Sequence, residues 1–175
     1  SMIIKKALIL GSNSPRRKEI LEMAGFNFEV KVIPTDEYFN NSMDIIEIPQ
    51  YLAEQKARCF DNYDEKTIIL TADTIVNIGS EILNKPKNME EAKEMLKKLS
   101  GNCHTVITGF CIKIGNDYKK YFDSTKVYFN VLSDNEIEHY IKNHNPFDKA
   151  GAYGVQDFIG MIGINKIEGS FYNVM

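Results

Sequence analysis

Ile3-Ile4-Lys5-Lys6-Ala7-Leu8-Ile9-Leu10-Gly11-Ser12-Asn13-Ser14-Pro15-Arg16-Arg17-Lys18 is the stretch on which the fold turns. A β-type run from Ile3 to Leu10 ends at Gly11-Ser12-Asn13. Ser14 then supplies a helix N-cap, and Pro15 takes the first helical position, where a backbone N–H is not needed. The helix is expected from Pro15 to Ala24. Beyond it Phe26 to Val32 alternates as a short strand, Pro34 to Asn41 reads as a polar loop, and Pro49 opens a second helix to about Phe60. Ile68 to Val76 reads as a buried strand interrupted by Asp73. Asn88 with Glu91 three residues on marks another helix start, whose stripe of Ala92, Met95, Leu96 and Leu99 ends at Gly101. His104 to Ile114 and Tyr118 to Leu132 are strand-rich, joined by a Gly115-Asn116-Asp117 turn that makes them antiparallel neighbours. Ser133 with Glu136 starts a last helix with Ile137, Tyr140 and Ile141 on its inner face, and Gly151 to Met175 reads as a loop followed by short strands. Helices and strands alternate without a strict βαβ cadence, which predicts an α/β domain with a mixed sheet.

The chain has 175 residues, 43% of them hydrophobic and spread along its length, enough for a core of domain size. With 21 Lys+Arg against 24 Asp+Glu the net charge is −3, so no global field draws it to nucleic acid or an anionic membrane, and any anion must be held locally. Apolar runs are too short for a signal peptide or a membrane span, so the expectation is a soluble cytoplasmic protein. Cys59, Cys103 and Cys111 form no Cys-x-x-Cys pair and the three histidines are scattered, which suggests neither a disulfide framework nor a zinc site. No repeat or linker interrupts the sequence, so one domain over residues 1–175 is expected, with Ser1 before Met2 read as an expression scar.

Three places carry chemistry. Arg16, Arg17 and Lys18 occupy the first turn of a helix, where the macrodipole disfavours cations; a bound phosphate would reverse that sign, while a solvated basic turn is the plainer reading. Lys56 lies on the apolar stripe of Leu52, Ala53, Ala57, Cys59 and Phe60, so it either snorkels to the surface or points its ammonium into a cleft containing an anion. Asp73 stands inside Ile68-Ile69-Leu70-Thr71-Ala72-Asp73-Thr74-Ile75-Val76, where an unpaired carboxylate would cost several kcal/mol, so it must have a partner. It is either hydrogen-bonded to a neighbouring turn or acts as a metal ligand or general base. Glu37, in the Thr35-Asp36-Glu37 loop, offers a second carboxylate, although an acidic loop is usually just solvated, and Lys85-Pro86 after a glycine-containing turn is weaker still, alone a surface lysine before a kink.

Together these stretches resemble the Maf family of nucleoside triphosphate pyrophosphatases over nearly the whole chain. The resemblance rests on Ser12-Asn13-Ser14-Pro15-Arg16-Arg17, Asp36-Glu37, Leu52-Ala53-Glu54-Gln55-Lys56-Ala57, Ala72-Asp73-Thr74-Ile75-Val76 and Leu83-Asn84-Lys85-Pro86. It continues through Leu99-Ser100-Gly101-Asn102-Cys103-His104, Asp148-Lys149-Ala150-Gly151-Ala152-Tyr153-Gly154-Val155-Gln156 and Glu168-Gly169-Ser170-Phe171-Tyr172-Asn173-Val174. Each motif alone is weak, whereas their order and spacing are specific. The resemblance implies an elongated, two-lobed α/β fold with a central cleft, similar to the house-cleaning, inosine triphosphatase-like pyrophosphatases. It implies a divalent cation, Mg²⁺ or Mn²⁺, a nucleoside triphosphate as substrate, and release of a monophosphate and pyrophosphate.

One branch of that family acts on dTTP and UTP and another on 7-methyl-GTP. The second tends to carry tryptophan after Ser-Pro, glutamine after the catalytic aspartate and glutamate in the late loop. Arg16, Thr74 and Gln156 stand at these positions and match the dTTP/UTP branch. On the same basis Ser12, Ser14, Arg16, Arg17, Lys56 and Lys85 would bind phosphates, Glu37 and Asp73 the metal, and Asp73 would be the catalytic base. Asn84 replaces the family's usual glycine and Gly11 its usual alanine. The family continues past Asn-Val with Gly-Leu-Pro and a terminal helix where this chain stops at Met175, so a truncated or missing last helix is expected. A homodimer is an assembly the resemblance leaves open. The rival readings are a nucleotide-binding regulator of septum formation or cell division, which would need the phosphate cradle but not the carboxylates, and a pyrophosphatase for modified nucleotides.

Overall fold

The computed structural model describes residues 6–154 and 163–169. The element order is β1 (Ala7–Leu10), α1 (Pro15–Met23), β2 (Glu29–Val30), α2 (Glu47–Arg58), β3 (Thr67–Ile78), β4 (Glu81–Leu83), α3 (Met89–Leu99), β5 (Cys103–Ile114), β6 (Asp117–Phe129), α4 (Asp134–Asn143), a 3₁₀ turn (Ala150–Ala152) and β7 (Ile164–Glu168). Among the described residues the seven strands form one mixed sheet in the order β2-β1-β3-β5-β6-β7, with β4 paired to β3. The expected mixed α/β class is what the chain adopts. No helix among the described residues is long and apolar enough to cross a membrane.

Contacts divide the chain into two compact units, the first made of Ser1–Asp73 with Thr108–Phe122 and the second of Thr74–Ile107 with Asp123–Met175. In the first, β1 pairs in parallel with both β2 and β3, Leu8 opposite Ile68 and Ile9 opposite Glu29. Parallel strands need crossover connections, which α1 and α2 supply. Ile9, Phe60 and Ile69 form one buried cluster, and Ala53, Ala57 and Cys111 another. The strand expected over Phe26–Val32 shrinks to two residues. Phe26, Val30 and Val32 stay exposed, so the alternating pattern has no layer to pack against on this edge strand. Helix α2 begins two residues before Pro49, because a proline inside the first turn withholds an N–H that no helical carbonyl requires.

The way α2 lies on its unit depends on Gly109 of β5. A Cβ there would stand 2.5 Å from the Pro49 carbonyl oxygen and nearer still to the Gln50 nitrogen. Only a residue without a side chain lets the first turn of α2 come this close. Lys113, two turns of the pleat further along β5, is buried and donates to the Phe60 carbonyl just past the end of α2.

In the second unit Val76, Leu83, Ala92, Leu96, Leu99, Val106, Val127, Phe129, Ile137, Tyr140 and Tyr153 share one core. Ser133 caps α4 in a reciprocal box with Glu136, and Asn88 accepts from the Glu91 N–H at the start of α3, as their spacing predicts. Two residues, Gly115 and Asn116, join β5 to its neighbour β6. Deep in this unit His104 is held edge-on by Phe129 and Tyr153, with Nε2 2.7 Å from the Tyr153 hydroxyl.

Gly109→Ala should destabilise the protein by about 3 kcal/mol or more, the upper range of overpacking, because the obstructing atoms are backbone and cannot rotate away. Urea melts of parent and variant measure it, and equal midpoints would refute the close approach. A second expectation follows from His104, whose ring burial pushes down from 6.5 to about 4. Between those values the unfolded chain takes up a proton that the folded chain refuses, so this stability is complete above pH 6.5 and is lost as pH falls towards 4. From pH 7 to pH 5 the loss is about 2 kcal/mol. The stability gap between the parent and His104→Gln should narrow by that amount over the same range; a constant gap would show that the ring is not kept neutral.

Candidate active site

The strand–turn–helix at the head of the chain places its polar groups tightly. Ser12 Oγ accepts from the Ser14 N–H at 3.2 Å and from Arg17 Nη1 at 3.0 Å. Ser14 caps α1, its Oγ accepting from the Arg17 N–H at 3.3 Å. With two donors already on its oxygen, the Ser12 hydroxyl has its O–H left to give. Arg17 also donates to the Ala72 carbonyl at 3.5 Å. Burial pulls its guanidinium below the usual value, opposed by the charges of Asp73 and Glu37. Arg16 Nε is buried with no partner among the described residues. This first helical turn contains no acidic residue to receive that guanidinium N–H.

The neighbouring strand carries the carboxylate. Asp73 Oδ1 accepts from Lys56 Nζ at 2.9 Å, and the same ammonium reaches the Ala72 carbonyl at 3.2 Å and Glu37 Oε1 at 3.5 Å. The inward lysine and the buried aspartate, which sequence left with separate alternatives, are thus each other's partner. Lys56 does not snorkel: its side chain is only 20% exposed, and that of Asp73 11%. Burial drives the Asp73 carboxyl above its ordinary range, the Lys56 charge and hydrogen bond pull it back, and the nearby Glu37 charge adds to the rise. The Ala72 carbonyl, accepting from both Arg17 and Lys56, belongs to this cluster although no residue-type signal could have named it; a backbone oxygen is silent in sequence.

Ser12, Ser14, Arg16, Arg17, Glu37, Lys56 and Asp73 therefore fall together within the first unit. The remaining candidates do not. Thr74 follows Asp73 on β3 but belongs to the second unit, as does Lys85, which is exposed just past β4. Gln156 lies outside the described residues.

Comparison with known proteins fits this cluster. The family model of Maf-like proteins matches residues 7–175. The dTTP/UTP pyrophosphatase of Cytophaga hutchinsonii is 48% identical over 168 residues, covering 96% of this chain and 77% of the relative. Those of Phocaeicola vulgatus and Porphyromonas gingivalis are each 44% identical, over 98% of this chain and 90% and 88% of their own lengths. A family match across nearly the whole chain, with relatives well above 30% identity, leaves one conclusion: this chain belongs to the Maf-like family.

Proposed function

We propose that the protein hydrolyses the bond between the α- and β-phosphates of nucleoside triphosphates, dTTP and UTP foremost, to the monophosphate and pyrophosphate. The observation that carries this reading is the convergence of Glu37 and Asp73 on Lys56, beside an Arg17 tied to Ser12 and an Arg16 with an unspent buried donor. The names of the relatives, dTTP/UTP pyrophosphatases, support it.

The donor set suits a hard divalent cation. Two carboxylates that already share one ammonium can share a metal, and Mg²⁺ commonly takes one or two protein carboxylates and fills its other positions with water and phosphate oxygens. Glu37 and Asp73 would hold it, and when bound, Mg²⁺ or Mn²⁺ would screen the charge of the triphosphate. The chain's own groups do the rest. Arg16, Arg17, Lys56 and Lys85, with the hydroxyls of Ser12 and Ser14, bind the phosphate oxygens and stabilise the charge that grows on the departing pyrophosphate. Asp73 takes the proton from the water that attacks the α-phosphorus. Its Oδ1 is held by Lys56, and Oδ2 has no hydrogen bond among the described residues. A carboxylate bound directly to a metal is a poor base, so the metal and proton roles of Asp73 would be shared with Glu37 or met through water. Gln156, whose amide both donates and accepts, reads the O4 and N3–H edge of thymine or uracil, with Arg16 and Thr74 completing the selection.

Pyrophosphate detection with dTTP and UTP, with and without EDTA, tests the activity. Pyrophosphate release abolished by the chelator is expected; release of inorganic phosphate alone, or equal rates in EDTA, would overturn it, and nucleotide binding without turnover would favour the regulatory role. Asp73→Asn keeps the side-chain volume and removes the charge, so turnover should fall at least about a hundredfold, the scale of a lost general base, in a protein that still folds. A folded variant with near-parent rates would make Asp73 structural.

A further inference from the structure

Thr71 stands on β3 two residues before Asp73, on the same face of the strand, and is fully buried. A buried hydroxyl needs an acceptor. Thr71 Oγ1 finds one across the layer, donating to the Ala53 carbonyl of α2 at 2.5 Å. A helical carbonyl has a second lone pair to offer, but a side chain as short as threonine reaches it only where the helix backbone lies close.

The direction of that hydroxyl is set by the methyl beside it. A Cβ on Gly11 would stand 2.9 Å from Thr71 Cγ2 and 3.1 and 3.2 Å from the edge of the Phe60 ring. Methyl and ring therefore occupy the room that a side chain at position 11 would take. Cγ2 and Oγ1 leave the same Cβ at a fixed angle, so seating one aims the other. A β-branched side chain is stiff about χ1. If the methyl is displaced, it yields by rotation, and rotation swings Oγ1 away from the Ala53 carbonyl. Gly11 is itself fixed by its N–H on the Leu70 carbonyl at 2.9 Å, and it precedes Ser12, which holds Arg17.

The anchored carbonyl lies next to the site. Ala53 is three residues before Lys56, less than one helical turn, and Lys56 Nζ reaches Asp73 Oδ1 at 2.9 Å. Two other restraints on α2 act at its ends: Gly109 admits Pro49 and Gln50, and Lys113 donates to the Phe60 carbonyl. Thr71 acts between them.

We propose that Thr71 is a positioning residue of the site: seated against Gly11, it holds α2 through the Ala53 carbonyl at the setting that brings Lys56 to Asp73. This rests on the catalytic reading of that pair given above.

The test uses the full chain with dTTP and compares Thr71→Ser, which keeps the hydroxyl, with Thr71→Ala, which differs from it by that oxygen alone. Thr71→Ser should keep kcat within about twofold of the parent, whereas Thr71→Ala should lower it about tenfold, the worth of one net hydrogen bond, with KM little changed. Gly11→Ala should lower kcat by a similar factor because its Cβ displaces the Thr71 methyl. Thr71→Ser removes that methyl and should restore the rate in the double variant. Three results would overturn the proposal: equal kcat in the serine and alanine variants, a parent-like kcat with only the urea midpoint lowered, or a Gly11→Ala defect that Thr71→Ser does not relieve. If Thr71→Ala does not fold, the last of these decides alone. A further arm needs no turnover. In urea melts Lys56→Met should cost less stability together with Thr71→Ala than by itself, because the pair it breaks is already displaced, and additive costs would refute the hold of Thr71 on Lys56. A parent inactive on every nucleoside triphosphate would refute the pyrophosphatase reading, while the melts would still decide whether Thr71 places Lys56.

Discussion

The bond between the Lys56 ammonium and the Asp73 carboxylate is the constraint on which the first unit depends. A carboxylate in the middle of an apolar strand costs several kcal/mol without a partner, and so does an ammonium on the inner stripe of a helix. Placed against each other at 2.9 Å, each removes the other's penalty. The pairing requires α2 to lie close on β3, and the sequence of α2 and its neighbours is small wherever closeness is needed. Ala53 and Ala57 face Cys111, and Gly109 admits the backbone of Pro49 and Gln50. Changing any of these moves the helix, and with it the ammonium.

The same cluster reconciles an acidic protein with the anionic substrate proposed for it. A net charge of −3 gives no long-range attraction, but Arg16, Arg17 and Lys18 stand at the head of α1, where their charges oppose the helix dipole by a few tenths of a kcal/mol each. Arg17 turns back onto Ser12 and the Ala72 carbonyl, so part of that opposition is relieved internally. Arg16 Nε is not relieved among the described residues. The proposed phosphate site would draw on this local concentration of charge, in a chain whose net charge is weakly acidic.

Much of this was legible before any coordinates. Ser14-Pro15 fixed the start of α1, Ser133 with Glu136 that of α4, and a charged residue inside an apolar strand marked Asp73, because each signal is local and each has a single physical cause. What could not be read was tertiary. Lys56 had two alternatives in sequence, and neither named Asp73, since the sixteen intervening residues carry no record of which strand the helix faces. The apolar alternation of Phe26 to Val32 promised a longer strand than β2, because alternation reports a face without reporting whether anything covers it. Gly109 looked like any glycine in a strand; its reason lies in the backbone of α2. The hydrogen bond between His104 and Tyr153 is likewise visible only in three dimensions.

Polar staples of this sort also decide something that apolar burial cannot. Thr71 and Asp73 are two residues apart on β3 and so share a face, about 7 Å apart along the strand. Thr71 Oγ1 donates to the Ala53 carbonyl of α2 at 2.5 Å, and Asp73 accepts from Lys56, three residues further along that helix, a rise of about 4.5 Å. Two directional bonds at different spacings on strand and helix can be satisfied together at one longitudinal setting. The apolar contacts of Ala53, Ala57 and Leu52 are less exacting, because hydrophobic burial is non-directional and a helix shifted by one turn, about 5.4 Å, can still bury small residues. A shifted helix would leave both the hydroxyl and the carboxylate without partners. The stability of the pair as such is modest, because burial costs offset much of its attraction. Its larger effect is to exclude the alternatives, and the setting it selects carries the Lys56 ammonium to the two carboxylates, Glu37 and Asp73, that the proposed chemistry needs.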